Sequence, residues 1–468
     1  MTDPRDDLGA WLESRVRPLP PPPGTFELIR RRARRRKVRR AAVAAAGAAA
    51  VVTLIAAVPT LIIPRLQLGP GQERNSAANG PTLTSGPNHG STAPSTAALT
   101  PTPAVGPAPV PANFAATSVT FIGTHTGWVL GQAGTPGHCP IIKQDCTSIA
   151  RTDNGGATWY GVRAPVTGAP DGSAGVSQIR FLDTEDGWAF GPELFATHDG
   201  GQTWTQVSTG GMRVTALEAR GDRAFAVWAQ CTGTGSDFAT GCTSFAVYSA
   251  TAGSDNWAPV AGATSGASPG GTASSASLLL TGTSGYLLTP TGGLISGPVS
   301  AQGPWRALSA LPTAALGLAQ STAQCAPGAA QPDGQASGSM VAATDPSGLV
   351  LLCAGQAAGG SQVKAVYTSS DGGTTWQLGG TAPAAGTATS VAGTPSGAIV
   401  IATSLGIEIS TDGGATWTAA SGATPPGGFA FVGMTTSARG VAVPADARQD
   451  AVWFTMDGGQ TWRASPIK

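Results

Sequence analysis

"STDGGATW", residues 410–417, recurs with small changes as "THDGGQTW" at 197–204, "SSDGGTTW" at 369–376 and "TMDGGQTW" at 455–462. A fifth copy, "TDNGGATW" at 152–159, ends on Thr158 and Trp159, and this register puts Asn154 where the others carry Asp199, Asp371, Asp412 and Asp457; Asp153 is then off the pattern. The paired glycines allow the positive φ of a tight turn, and the carboxylate can accept hydrogen bonds from N–H groups inside it. The closing Trp (Trp159, Trp204, Trp376, Trp417 or Trp462) brings a large apolar surface that locks the turn onto a sheet. Every part of the phrase thus has a use in folding. A metal site would need several oxygen ligands on one ion, and each turn supplies one carboxylate. A glycosidase would need two carboxylates roughly 5–10 Å apart, and the repeats set theirs on separate units.

The spacing of the Trp residues sets the architecture. Positions 159, 204, 376, 417 and 462 leave intervals of 45, 41 and 45 residues around one gap of 172, which must hide degenerate copies. Two such copies end at Trp257 ("VYSATAGSDNW") and Trp305 ("LISGPVSAQGPW"). Ahead of each Trp stand two short apolar runs around a turn, beginning with "VTFIGTHTGWVLG" (119–131) and "IRFLDTEDGWAFG" (179–191). They continue with "ALEARGDRAFAVWA" (216–229), "LLLTGTSGYLLTP" (278–290), "SMVAATDPSGLVLLC" (339–353), "SVAGTPSGAIVIA" (390–402) and "FAFVGMTTSARGVAVP" (429–444). Each unit therefore predicts a four-stranded antiparallel meander: two strands before the phrase, one leading into it and one leaving it. Radial repetition of such sheets is an all-β propeller over residues 113–468, with seven blades on this count and six or eight as alternatives, because 306–338 lacks a clean signature. Abundant Gly (66) and Pro (37) and a charged fraction of 11% suit short strands joined by turns.

The near-neutral charge hides an asymmetry. Residues 1–40 hold twelve Lys/Arg against five Asp/Glu, and the remainder fifteen against twenty-one. The basic run "RRRARRRKVRR" (30–40) is followed by 23 uncharged residues, 41–63. A helix of about 23 residues at roughly 1.5 Å each crosses a hydrocarbon core of about 30 Å. Residues 41–63 thus predict one transmembrane helix, with the basic segment 1–40 in the cytoplasm and the rest outside: a single-pass plasma membrane protein with an extracellular propeller. A cleavable signal peptide is the alternative, and the long leader and long apolar run argue against it. The run's place beside a span explains it by topology, without nucleic acid. Residues 64–112, rich in Pro, Thr, Ser, Gly and Ala, predict a disordered or polyproline-like linker.

The phrase resembles the Asp-box, or BNR repeat, shared by sialidases, sortilin-type receptors and the photosystem II assembly factor propellers. It is most similar to the last group, whose repeats couple "GW..G" to "T.DGG.TW", as in "GWAFGPELFATHDGGQTW" (187–204). The resemblance implies a fold far more than a function. Sialidase activity would imply an arginine triad, a Tyr nucleophile backed by Glu, an Asp acid/base and an Arg-Ile-Pro motif, and the chain lacks that motif. Its four Tyr sit at repeat positions and read as blade packing: Tyr248 and Tyr367 in "AVY", Tyr160 after a box Trp, and Tyr286 in place of the Trp of "GW". The four His show no metal-ligand spacing, and no cofactor motif is present.

No enzyme is therefore expected. The expectation is a binding or scaffold module of a bacterial cell envelope that recognises a protein or glycan. The alternatives are a sensor whose residues 1–40 hold a cytosolic protein partner, for which Leu8, Trp11, Leu12 and Val16 form an apolar stripe, and a sialidase-like hydrolase. The six cysteines follow the span, and proximity pairs Cys139 with Cys146, Cys231 with Cys242, and Cys325 with Cys353. Those bridges would staple the long loops between second and third strands and between blades, with Cys353 ending a second strand. Ligand contacts are accordingly expected from 132–148, 229–243 and 306–338, on the face opposite the Asp-containing turns.

Overall fold

In the second unit, Gln178–Phe181 alternates partly and fully buried residues, whereas Gly187–Phe190 and Leu194–Thr197 are buried at every position. A strand whose sheet packs on both faces reads as a continuous apolar run, and a strand at the rim of a channel alternates. The computed structural model describes residues 108–133, 146–232, 241–266, 276–290, 293–300, 303–308, 311, 339–422 and 424–468. Within them the strands form seven antiparallel sheets in which consecutive strands pair in order.

Blade 1 comprises Ala115–Phe121, Gly127–Ala133, Cys146–Thr152 and Tyr160–Val162, and blade 2 runs from Gln178–Phe181 to its outer strand Thr205–Gln206. Blade 3 comprises Arg213–Arg220, Arg223–Cys231, Cys242–Thr251 and Ala258–Gly266; blade 4 runs from Ser277–Leu280 to Arg306–Ala307. Blade 5 comprises Ser339–Ala343, Leu349–Ala358, Ser361–Ser369 and Gln377–Ala382; blade 6 runs from Ala388–Gly393 to Thr418–Ala419. Blade 7 runs from Phe429–Met434 to Thr461–Pro466 and gains a fifth strand, Ser421–Gly422, paired parallel to its outer edge. The innermost strands of successive blades meet in ring order, and that of blade 1 meets the second strand of blade 7, Gly440–Pro444. The protein is a seven-bladed β-propeller, and the units ending at Trp257 and Trp305 are its third and fourth blades.

Every blade is one continuous stretch of chain, so no strand is shared where the ring closes. Side chains close it instead. Phe114, Val119, Val129 and Trp159 of blade 1 form one cluster with Val441, Val452 and Phe454 of blade 7. The Arg439 guanidinium donates to the Gly155 carbonyl at 2.6 Å and lies 5.7 Å over the Phe454 ring. Ala108, which the sequence places in the linker, bridges the outer strand of blade 1 and accepts from the Gly161 amide at 2.8 Å.

Among the described residues no helix is long and apolar enough to cross a membrane. The span predicted over 41–63, the segment 1–40 and residues 64–107 of the linker lie outside the described residues.

Candidate functional site

The five clear turns share one geometry. In blade 2, Asp199 Oδ1 accepts the amides of Gln202 and Thr203 at 2.9 Å each, while Oδ2 accepts the Thr203 hydroxyl at 2.6 Å. Asp371, Asp412 and Asp457 hold Thr375, Thr416 and Thr461 by the same pair of bonds at 2.9 and 2.6 Å. Asn154 does this without charge: its Oδ1 accepts the Thr158 amide at 2.9 Å and its Nδ2 donates to the Thr158 hydroxyl at 2.8 Å. Both glycines of each turn have positive φ, for example 75° and 101° at Gly413 and Gly414. A residue with a Cβ is strained in that region, which explains the doublet.

The turns also join blades. Trp204 Nε1 donates to the Arg163 carbonyl at 3.0 Å, and the Trp305 amide to the Ala261 carbonyl at 2.7 Å. The Ser421 amide donates to the Gln460 carbonyl at 2.8 Å, and Trp159 Nε1 to the Ser465 hydroxyl at 3.3 Å. In each case a turn docks on the outer edge of the preceding blade. Gly379 shows how close that approach is: a Cβ there would come within 2.0 Å of the Gly413 carbonyl oxygen.

Hydroxyl and backbone N–H donors hold Asp371 and Asp412 at about 2, below the ordinary 3.8, with the Thr375 and Thr416 hydroxyls the largest cause in each. A folded-state pKa depressed in this way contributes stability that is fully present above the unfolded value and is lost as the pH falls through the folded one. Melting temperature is therefore expected to hold above about pH 4 and to drop between about pH 4 and 2. In the double variant Asp371→Asn, Asp412→Asn, built on the precedent of Asn154, that acid limb should flatten; an unchanged limb would place the acid sensitivity elsewhere.

The cysteines follow the sequence reading in part. Cys231 and Cys242 form a disulfide between the second and third strands of blade 3. Cys353 is disulfide-bonded and fully buried, but it lies in the middle of Leu349–Ala358 rather than at a strand end, because the strand continues five residues beyond it. Cys139 and Cys325 lie outside the described residues, and Cys146 opens the third strand of blade 1. Most of the three expected recognition loops also falls outside: 134–145, 233–240, 309–310 and 312–338. Tyr160 departs from the packing role read for it. Its hydroxyl donates to Asp153 Oδ2 at 2.5 Å, and Arg151 holds Oδ1 of the same carboxylate at 2.9 Å. Burial and that carboxylate push Tyr160 up to about 12.

The channel holds a cavity of about 600 Å³ at the ends of the innermost strands of blades 3 to 7. Val341, Val391, Phe431 and Met434 give it an apolar wall, and Glu218 and Arg220 face them. Arg180 of blade 2 pairs with Glu218 at 3.1 Å, while Arg220 is exposed. The lining reaches the turns after the innermost strands, at Gly282, Pro346 and Pro395. These turns lie beside the Asp-containing ones, as the bonds from the Gly372 amide to Ser347 and from the Gly458 amide to Ala438, both 2.8 Å, show. The described cavity thus opens on the face opposite to the one expected. Its signal in the sequence was a charge at an inward position of an apolar strand, in "IRFL" and "ALEAR".

No protein-family model matches the chain, and no curated protein is similar to it. Among solved structures, it is similar to YCF48 bound to D1 peptide, at 16% identity and a TM-score of 0.47 over 75% of this chain and 95% of that one. YCF48 from Cyanidioschyzon merolae matches at 16% and 0.48 over 75% and 98%. PorZ, a bacterial surface component of the type-IX secretion system of Porphyromonas gingivalis, matches at 13% and 0.41 over 77% and 39%. These likenesses say nothing of what the chain binds.

Proposed function

We propose that this chain is a membrane-anchored propeller of the cell envelope that binds a protein segment in its channel and does not transform it. The observation that carries the reading is the two-sided cavity: an apolar wall beside one exposed guanidinium suits a side chain and a polar group presented together. Its carboxylates are already engaged, which supports binding over acid–base chemistry. Glu218 is paired with Arg180, and Asp345 accepts the Ser347 and Gly348 amides at 2.8 and 2.7 Å. The basic run 30–40 and the apolar run 41–63 support an anchor with the propeller outside.

Panning a displayed peptide library on the full chain in detergent tests the binding reading. Selected peptides should bind wild type and lose at least about tenfold in affinity on Val391→Asp or Arg220→Glu. Peptides that bind these variants equally well, or a library that yields none, would overturn it. For the anchor, protease added to protoplasts should remove the propeller epitope; its protection would place the propeller inside.

A further inference from the structure

At the seam between blades 2 and 3 the docking turn lacks the Asp-Gly-Gly phrase and its side-chain bonds. Aligned on its Trp, "ATAGSDNW" (250–257) has Ala252 at the Asp position, Ser254 at the second Gly and Asn256 at the Thr. In the five clear turns the Thr at that place is bonded to the Asp or to Asn154. Asn256 has no such carboxylate, and it is exposed. Between this turn and the connection Ser208–Met212 lies an open cleft of about 520 Å³, lined by Trp228, Trp257, Asp255, Asn256, Ser208 and Thr209.

Its two faces have different chemistry. Trp228 is stacked on Tyr248 at 4.1 Å and lies 6.2 Å from Trp257, which meets Trp188 edge-on at 6.3 Å. This aromatic block holds both cleft-lining indoles in place. Trp228 is 6% exposed, and neither its Nε1 nor that of Trp257, both shielded from solvent, has a hydrogen-bond partner among the described residues. On the polar side, His198 sits between blades, with Nδ1 2.8 Å from Asp186 and Nε2 3.3 Å from Asp255. The bond to Asp186, with the charge of Asp255 adding to it, raises the pKa of the imidazole. Asp255 is thereby steered from the far side and retains lone pairs for a donor.

We propose that this cleft is a saccharide-binding site, with a sugar ring laid on the half-buried Trp257 and its hydroxyls bonded to Asp255 and Asn256. A pyranose offers an apolar C–H face and a rim of groups that both donate and accept. Aromatic rings match the first. A carboxylate, an amide and the Ser208 hydroxyl match the second, since Asp255 can only accept and Asn256 does both; the Thr209 hydroxyl already donates to the Met212 carbonyl. A proline-rich peptide, the other ligand that aromatic grooves hold, has carbonyl acceptors and no N–H at its prolines, so it would leave Asp255 without a donor. The site is separate from the channel, and its failure would leave the channel reading intact.

The test uses the full chain in detergent with four probes, maltotriose, cellotriose, chitotriose and mannotriose, and decaproline as the competing ligand class. Trp fluorescence should change saturably with at least one trisaccharide, with affinity falling about tenfold or more in Asn256→Ala and in Asp255→Asn. Trp257→Phe should keep part of the binding. Asn256 is exposed and bonds in the turn through its backbone amide, so Asn256→Ala should melt like wild type and isolate recognition from folding. Absence of saturable binding by all four sugars, binding unchanged in both polar variants, or binding of decaproline alone would each overturn the proposal.

Discussion

Phe454→Ala is expected to open the ring at its closure, at a cost of about 3–5 kcal/mol. Phe454 is 8% exposed, meets Phe121 of blade 1 edge-on at 5.6 Å, and lies so close under Gly156 that a Cβ there would be 2.4 Å from the ring. At every other seam the chain itself runs from one blade to the next. Between blades 7 and 1 no peptide bond makes the link, so the aromatic contact, the Arg439 bond and the Ser465 hydroxyl donating to the Gly156 carbonyl hold the ring together. The urea midpoint should fall, and amide exchange should quicken in 115–121 and 451–466 more than in blades 3 to 5. A loss below about 1 kcal/mol, or exchange that rises evenly, would show that closure rests on other contacts.

Trp305→Ala should be of similar size, about 3–5 kcal/mol, although its blade lacks the Asp-Gly-Gly phrase. Trp305 is 1% exposed, packs 5.9 Å from Phe225 of blade 3, and lies across two glycines. A Cβ on Gly297 would come 2.1 Å from its ring and one on Gly285 2.4 Å. Removal therefore leaves a cavity floored on one side by the backbone of these two glycines. Gly297→Ala, which overfills the same space, should cost about 1–3 kcal/mol. If thermal melts put both variants within error of wild type, Trp305 would not be the residue that holds blades 3 and 4 together.

The Asp-Gly-Gly turns were readable residue by residue because their bonds are local. Asp412 and Thr416 are four positions apart, and the glycines between them need positive φ whatever surrounds them. The substitution of Asn154 was readable for the same reason. Blade count was legible because every second strand, buried on both faces, writes an unbroken apolar run such as "GWVLG" or "IVIA" into the chain. Tyr160 was misread because its partner Asp153 is seven residues away, across the turn, and neither residue follows the repeat.

Local composition and period thus determined the strands, the turns, the number of blades and the identity of the docking Trp residues, all of which depend on neighbours within about one repeat. Tertiary structure alone decided what meets between blades. Lys364 lies in a strand that reads as ordinary, yet it is fully buried and its ammonium donates to the Ala385 and Gly386 carbonyls at 2.8 and 2.9 Å. Arg180 reaches Glu218 across 38 residues, and His198 reaches Asp255 across 57. The channel and the cleft beside Trp257 exist only because closing the ring brings such distant residues together. A side chain's partner across a seam depends on the blade's position in the ring, a quantity that no short window of sequence contains.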